Sequence, residues 1–181
     1  MKDSKLLSPR QREELCDGIK SIIKKFHMIS IPPAEIDAAV DGKDGLNLNW
    51  LEAHKTAEIL NVLQPDKAFI DCPSPNIPKY TEYLRKLLVK KDIELVVEHK
   101  SDFLHVETGA ASILAKCRRD EEIVQLQKQF VDDLGSGYPA DPMTQVFIKK
   151  HWKKHPDIFR HSWAPYKALV DAAQQKGLDK F

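Results

Sequence analysis

The stretch "KAFIDCPSPNIPKYTEYLRKLLVKKDIELVVEH", residues 67–99, decides the fold. Its first six residues, Lys67 to Cys72, form a short apolar run that "PSPN" stops, which reads as a buried strand. Lys79 to Lys90 reads as a helix, and Ile93 to His99 as a second apolar strand. Strand, helix and strand in that order make a βαβ unit, with a parallel pair and a right-handed crossover. The class is α/β. Asp71 closes the first strand at its C-terminal end, where open α/β sheets bind ligands. Taken alone, Asp71 reads first as a strand-end turn residue whose carboxylate caps the "CPSPN" loop.

Working outward, Ser8, Pro9 and Gln11 spell a helix start, and Leu15, Ile19, Ile22 and Ile23 give that helix its buried face. "HMISI", residues 27–31, predicts a short strand ended by Pro32 and Pro33. Helices follow around Ala34 to Val40 and from Trp50 to Leu63, with a Gly-rich turn between them at residues 42–45. Beyond the βαβ unit the pattern predicts one helix from Gly109 to about Leu134, the loop "GSGYPADP", a helix from Met143 to about Lys154 and a last helix from Pro165 to Gln175. Three short strands thus face seven helices. Helices need a sheet face against which to bury their apolar stripes, so the sheet reads as incomplete.

Within the long helix, "GAASILAKCRRDEEI", residues 109–123, opens on small residues and ends in a cluster of charge. Ser112, Lys116 and Asp120 are spaced by four and share one line along it. Spacing leaves Asp120 open between two roles. It is a surface partner of Lys116 or Arg119, or it is a metal-binding or catalytic acid that works with a second acid such as Asp71. Two carboxylates from different elements would suit a hard cation, Mg²⁺ or Mn²⁺.

The chain has 181 residues and a net charge of +1, so global charge does not single out nucleic acid. Locally, residues 149–167 hold six Lys or Arg against one acid, Asp157. Lys149, Lys150, Lys153 and Lys154 stand in pairs at helical spacing, which reads either as a backbone-binding surface or as a solubilising face. Cys16, Cys72 and Cys117 form no CxxC pair, which argues against disulfides or a zinc site and for a reducing, cytoplasmic setting. No apolar run approaches the ~20 residues of a membrane span, and the start has no apolar signal region. None of the seven histidines has a partner at zinc spacing, and His99 and His105 read as structural.

The order "DSKLLSPRQREEL", "FIDCPSPN", "VVEHKSD", "AASILAKCRRDEEI", "GSGYPADPMT", "FRHSW" resembles ribonuclease HII, in its archaeal and eukaryotic branch, over residues 3 to about 166. The resemblance implies a ribonuclease H sheet with a helical C-terminal subdomain, divided here at about residues 1–134 and 135–181. It implies a metal-dependent hydrolase that cleaves the RNA strand of RNA–DNA hybrids and cuts at single ribonucleotides embedded in duplex DNA. No membrane partner is implied. Carried over by motif, Asp71 and Asp120 become metal-binding catalytic acids, and Tyr138 the tyrosine that packs on a sugar at the RNA-to-DNA junction. Tyr138 also fits a turn residue covering core. Ser4, Lys5 and Lys116 join the substrate-binding set, and Lys149, Lys150, Lys153 and Lys154 the backbone-binding one.

One departure stands out. Family members begin with a segment like "GIDEAGRGPVIGP", which holds two of their four metal acids and is not in this sequence. The expectation is therefore an enzyme inactive as given. The alternatives are a catalytically silent nucleic-acid-binding module and the C-terminal subunit of a split enzyme that pairs with a separate N-terminal fragment.

Overall fold

The computed structural model describes residues 9–42 and 45–178. The proposed cap Ser8, and Ser4 and Lys5, lie outside them. The elements run α1 (Pro9–Ile22), α2 (Pro33–Val40), α3 (Leu48–Leu63), β1 (Lys67–Asp71), α4 (Ile77–Leu87), β2 (Glu94–Glu98), α5 (Ser101–Leu104), α6 (Val106–Gln127), α7 (Pro142–His151), a 3-10 turn (Pro156–Ile158) and α8 (Ala164–Leu178). The chain forms two compact units. One holds residues 1–30 and 48–119, the other residues 31–47 and 120–181.

In the first unit β1 and β2 pair in parallel, Lys67 opposite Glu94 through Asp71 opposite Glu98. Backbone bonds from Glu94 N to Asp66 O and from Cys72 N to Glu98 O, each 2.9 Å, extend the ladder at both ends. Strand side chains alternate between faces. Ala68, Ile70 and Cys72 of one strand, with Leu95 and Val97 of the other, therefore turn one way, into a core built with Ala53, Ala57 and Leu60 of α3 and Tyr80 and Leu84 of α4. The opposite face carries Lys67, Phe69 and Asp71 beside Glu94, Val96 and Glu98. Helix α4 starts where Asn76 accepts Lys79 N at 3.0 Å, a side-chain cap on an otherwise orphaned donor. It ends where Asn61 of α3 bonds to Leu87 O at 3.1 Å and Val89 N at 2.8 Å.

The second unit is helical among the described residues. Its core joins Leu134, Phe147, Ile148, Phe159 and Tyr166, with Ile123 and Leu126 from the end of α6 packed against them.

Several elements differ from the sequence pattern: α4 ends at Leu87 and not Lys90, α8 runs to Leu178 and not Gln175, and three further differences bear on the proposed site residues or the sheet. Residues 27–31 form no strand. Their side chains are mostly half-buried, but no ladder partner pairs with them among the described residues. Helix α6 ends at Gln127, not near Leu134. The Gln127 amide donates to Phe130 O and Asp132 O and accepts from Leu134 N at 2.7 Å, replacing helix bonds with side-chain ones. Helix α7 ends at His151, so Lys153 and Lys154 lie in the turn after it. Pro156 forces that exit, since the residue before a proline is disfavoured in the helical region, and His155 has φ −134°.

Candidate metal and nucleic-acid site

Asp71 sits at the C-terminal end of β1, on the face turned away from the core. Lys100 adopts a left-handed φ of 58°, an uncommon conformation for a residue with a side chain. That turn brings Ser101 N to within 3.2 Å of Asp71 Oδ1. The bond fixes one carboxylate oxygen and leaves the other with no hydrogen bond among the described residues.

A second acid, Glu52 near the start of α3, bears on the same point. Glu52 reaches solvent as a residue, yet its carboxyl group is pushed above the ordinary range, first by burial and then by the negative charge of Asp71. The Cys72 thiol is raised too, by burial first and then by the charges of Asp71 and Glu52. Tyr80 is pushed up to about 12 by burial, with Glu52 adding to the shift and a hydrogen bond from Thr56 opposing it. The charges of Asp71 and Glu52 thus act on the same few groups around the end of β1. Sequence reading missed Glu52, because nothing in "LNWLEAHK" separates it from a solvated helix acid.

Two histidines frame this end. His99 Nδ1 lies 3.1 Å from Cys72 O. His105 hydrogen-bonds through Nε2 to Glu98 and stacks on Phe69 with ring centroids 4.0 Å apart.

On α6, Lys116 Nζ donates to Ser112 Oγ at 3.3 Å, which places these two on one line as their spacing requires. Asp120 lies one turn further along the same helix, where the chain passes into the second unit.

In the second unit the "GSGY" loop is tightly built. Thr144, buried at the start of α7, donates to Leu134 O and accepts from Gly137 N, each at 2.9 Å. Asp141 accepts from Ser136 N and Ser136 Oγ at 2.6 Å and from Met143 N at 2.9 Å. These bonds, led by that from the Ser136 hydroxyl, hold its carboxyl below the usual range. Gly135 has φ +72°, and a Cβ there would meet Asp141 Oδ2, Met143 Cβ and Thr144 N at 2.8–2.9 Å. Only glycine fits. The loop ends in Tyr138, 46% exposed.

The four lysines do not behave alike. Lys150 pairs with Asp132, which also takes a 2.7 Å bond from His151. Together they hold the Asp132 carboxyl below its ordinary range, Lys150 first. Lys153 Nζ lies 5.1 Å from the centroid of the Trp152 ring. Lys149 and Lys154 are exposed.

The oxygen donors at the end of β1 suit a hard cation such as Mg²⁺ or Mn²⁺. Among the described residues no group of three or more His, Cys, Asp and Glu comes together to hold a metal ion. Asp71 and Glu52 carry oxygen donors of the kind such an ion takes.

A parallel βαβ pair with an acid at its strand end defines an α/β protein, a class in which ligands bind at strand ends. The comparisons narrow that class. A family model described as Ribonuclease HII matches residues 1–166, and the chain belongs to that family. It is 36% identical over 190 residues to Ribonuclease HII of Pyrococcus furiosus, covering all of this chain and 82% of that protein. It is 39% identical over 176 residues to Ribonuclease HII of Thermofilum pendens, covering 93% of this chain and 82% of that one. Among solved structures, the ribonuclease H2 of Pyrococcus horikoshii superposes with a TM-score of 0.79 at 31% identity, over 94% of this chain and 80% of that one. Ribonuclease HII in the PCNA complex from Archaeoglobus fulgidus gives 0.75 at 31%, over 92% and 77%. The fold expected from the resemblance is the fold of these neighbours.

Proposed function

We propose that this chain carries the ribonuclease HII reaction, cleavage of the RNA strand of RNA–DNA hybrids and at single ribonucleotides embedded in duplex DNA, either as given or with a family-type Asp-Glu segment supplied. The observation that carries the reading is Asp71, whose carboxylate is anchored by Ser101 N at a parallel strand end in a chain of the Ribonuclease HII family. Asp71 and Asp120 are the acids proposed to hold a divalent cation, Mg²⁺ or Mn²⁺. When bound, such a cation activates water and stabilises the leaving 3′ oxygen, so no side chain need act as nucleophile. Asp71 offers its second oxygen, with the first held in place by the backbone. Tyr138 offers an exposed ring on a rigid loop to a sugar, a contact sensitive to sugar position. Lys116, Ser4 and Lys5 belong to the proposed substrate-binding set. Lys149, Lys150, Lys153 and Lys154 belong to the proposed backbone-binding set, with Lys150 also engaged by Asp132. The cytoplasmic setting is part of the same reading and is supported by three free cysteines. No helix among the described residues is long and apolar enough to cross a membrane.

The test is a DNA duplex carrying one ribonucleotide, incubated with Mg²⁺ or Mn²⁺. It is run on residues 1–181 and on the same chain carrying a family-type Asp-Glu segment ahead of Met1. Cleavage on the 5′ side of the ribonucleotide by either form supports the proposal. Absence of cleavage by both, on this duplex and on an RNA–DNA hybrid, overturns it. Tight binding without cleavage would point to the silent binding module.

A further inference from the structure

The turn from Arg160 to Trp163 is held in an unusual way. Asp37 of α2 accepts His161 N at 2.7 Å through one oxygen and Ser162 N at 3.0 Å through the other. Burial alone would raise the Asp37 carboxyl, but bonds from the Ser162 side chain and from the Ser162 and His161 backbone hold it below the ordinary range. Trp163 N closes the turn on Arg160 O at 3.1 Å. The backbone under Arg160 is therefore fixed by a charge-assisted clamp.

The Arg160 side chain is held but not neutralised. Its Cζ lies 5.8 Å from the Trp163 ring centroid, and Nη2 reaches Ser162 Oγ at a long 3.5 Å. Its Nε is closed to solvent and has no hydrogen-bond partner. Among the described residues no carboxylate lies within ion-pair distance of it. Leaving a buried donor without a partner costs free energy, more when the group is charged. A half-buried guanidinium without an anion is a site that lacks its counter-charge. The planar fork of Arg matches the oxygens of a phosphodiester, and a fixed turn reduces the ordering cost of binding one.

A ladder of rings connects this turn to the basic end of α7. His161 stacks on Tyr166 with centroids 4.5 Å apart, Tyr166 meets Trp152 edge-on at 6.0 Å, and Lys153 lies over Trp152 at 5.1 Å. Lys153 and Arg160 thus flank one aromatic ladder inside the second unit. Asp157 and Asp37 bear on Tyr166 as well, but Asp37 is committed to the two backbone donors.

We infer that Arg160, pinned through Asp37, is a phosphate contact for the nucleic-acid backbone that extends the track begun by Lys153. The inference rests on the nucleic-acid reading above, and it concerns backbone binding, not ribonucleotide choice.

Two measurements, both on the full chain in EDTA, decide it. The first follows the Arg160 Nε–H resonance in a ¹⁵N spectrum while a short RNA–DNA hybrid, or a DNA duplex of the same sequence, is added. A saturable shift with both duplexes is expected. The second compares Arg160→Gln and Arg160→Lys with the unmodified chain across a salt series. Arg160→Gln is expected to weaken both duplexes about tenfold and to lower the salt slope by about 1, with the hybrid-to-DNA ratio unchanged; Arg160→Lys should keep most of the slope. A still resonance with an unchanged slope overturns the assignment and leaves the ribonuclease reading intact. A chain that binds neither duplex overturns the assignment as well. Absence of cleavage in the metal-dependent test above, with the Arg160 shift and slope change intact, would count against the ribonuclease reading alone. Should Arg160→Gln fail to fold, the resonance of the unmodified chain decides.

Discussion

Asp71 and Gly135 do different kinds of work, and substitution separates them. At Gly135 a Cβ would press on backbone and side-chain atoms at 2.8–2.9 Å, at a φ of +72° that side chains rarely adopt. Gly135→Ala is predicted to destabilise the fold by about 2 kcal/mol or more, read by denaturant unfolding. An unchanged midpoint would mean the loop relaxes around it. Tyr138→Ala, on the exposed tip of the same loop, is predicted to leave stability unchanged and to lower kcat/KM on a single-ribonucleotide duplex by about tenfold, the worth of one stacking contact. Asp37 carries a pH prediction. Its folded carboxyl lies below its unfolded value, so its contribution is fully present above the unfolded pKa and lost as pH falls through the folded one. The thermal unfolding midpoint should therefore drop as pH falls below the ordinary carboxyl range, from about pH 4 downward, and Asp37→Asn should flatten that part of the curve while lowering stability at pH 7. Equal acid sensitivity in Asp37→Asn would remove Asp37 from the acid transition. Asp71 was legible in the sequence because a strand end and its proline stop are local signals. Glu52 was not, since only the fold brings it to bear on Asp71.

At the scale of elements, the βαβ unit was readable because each part declares itself within a few residues. The two apolar runs, the "PSPN" stop and the helix between them all lie in one segment, and the parallel pairing follows. Asn76→Ala should cost about 1 kcal/mol, the usual worth of a side-chain cap, in a chemical denaturation series. Residues 27–31 had a strand's composition without a strand's partner among the described residues, and pairing is a nonlocal property that composition does not carry. The ends of α6 and α7 were misread for a similar reason. Gln127 ends α6 by bonding forward to Phe130, Asp132 and Leu134, a competition invisible to a count of apolar spacings. As α7 stops at His151, its lysines divide between helix and turn, and Lys150 is drawn to Asp132. Lys149→Ala and Lys154→Ala should each lower the salt slope of duplex binding by about 1 without changing base preference. Unaltered slopes would make these two lysines a solubilising surface.

Across the whole molecule, each unit has its own core, and the function proposed draws on both. Leu84→Ala in the first and Phe147→Ala in the second each remove a fully buried side chain. Each should cost about 3–5 kcal/mol in unfolding free energy. The discontinuous second unit, which takes in residues 31–47 as well as 120–181, is not a feature that linear composition reveals. The family was legible all the same, because its motifs run from the first residues to "FRHSW", and the family model covers residues 1–166. The central proposal is that Asp71 and Asp120 serve one metal-dependent reaction. Its most direct test is the single-turnover cleavage rate of a one-ribonucleotide duplex by the active form of the chain, compared with Asp71→Asn and Asp120→Asn, with thermal unfolding recorded for each. A loss of at least about 100-fold in both, about 2.7 kcal/mol in the barrier, with folding intact, is the predicted result. Cleavage that survives either substitution would contradict it and make that aspartate structural.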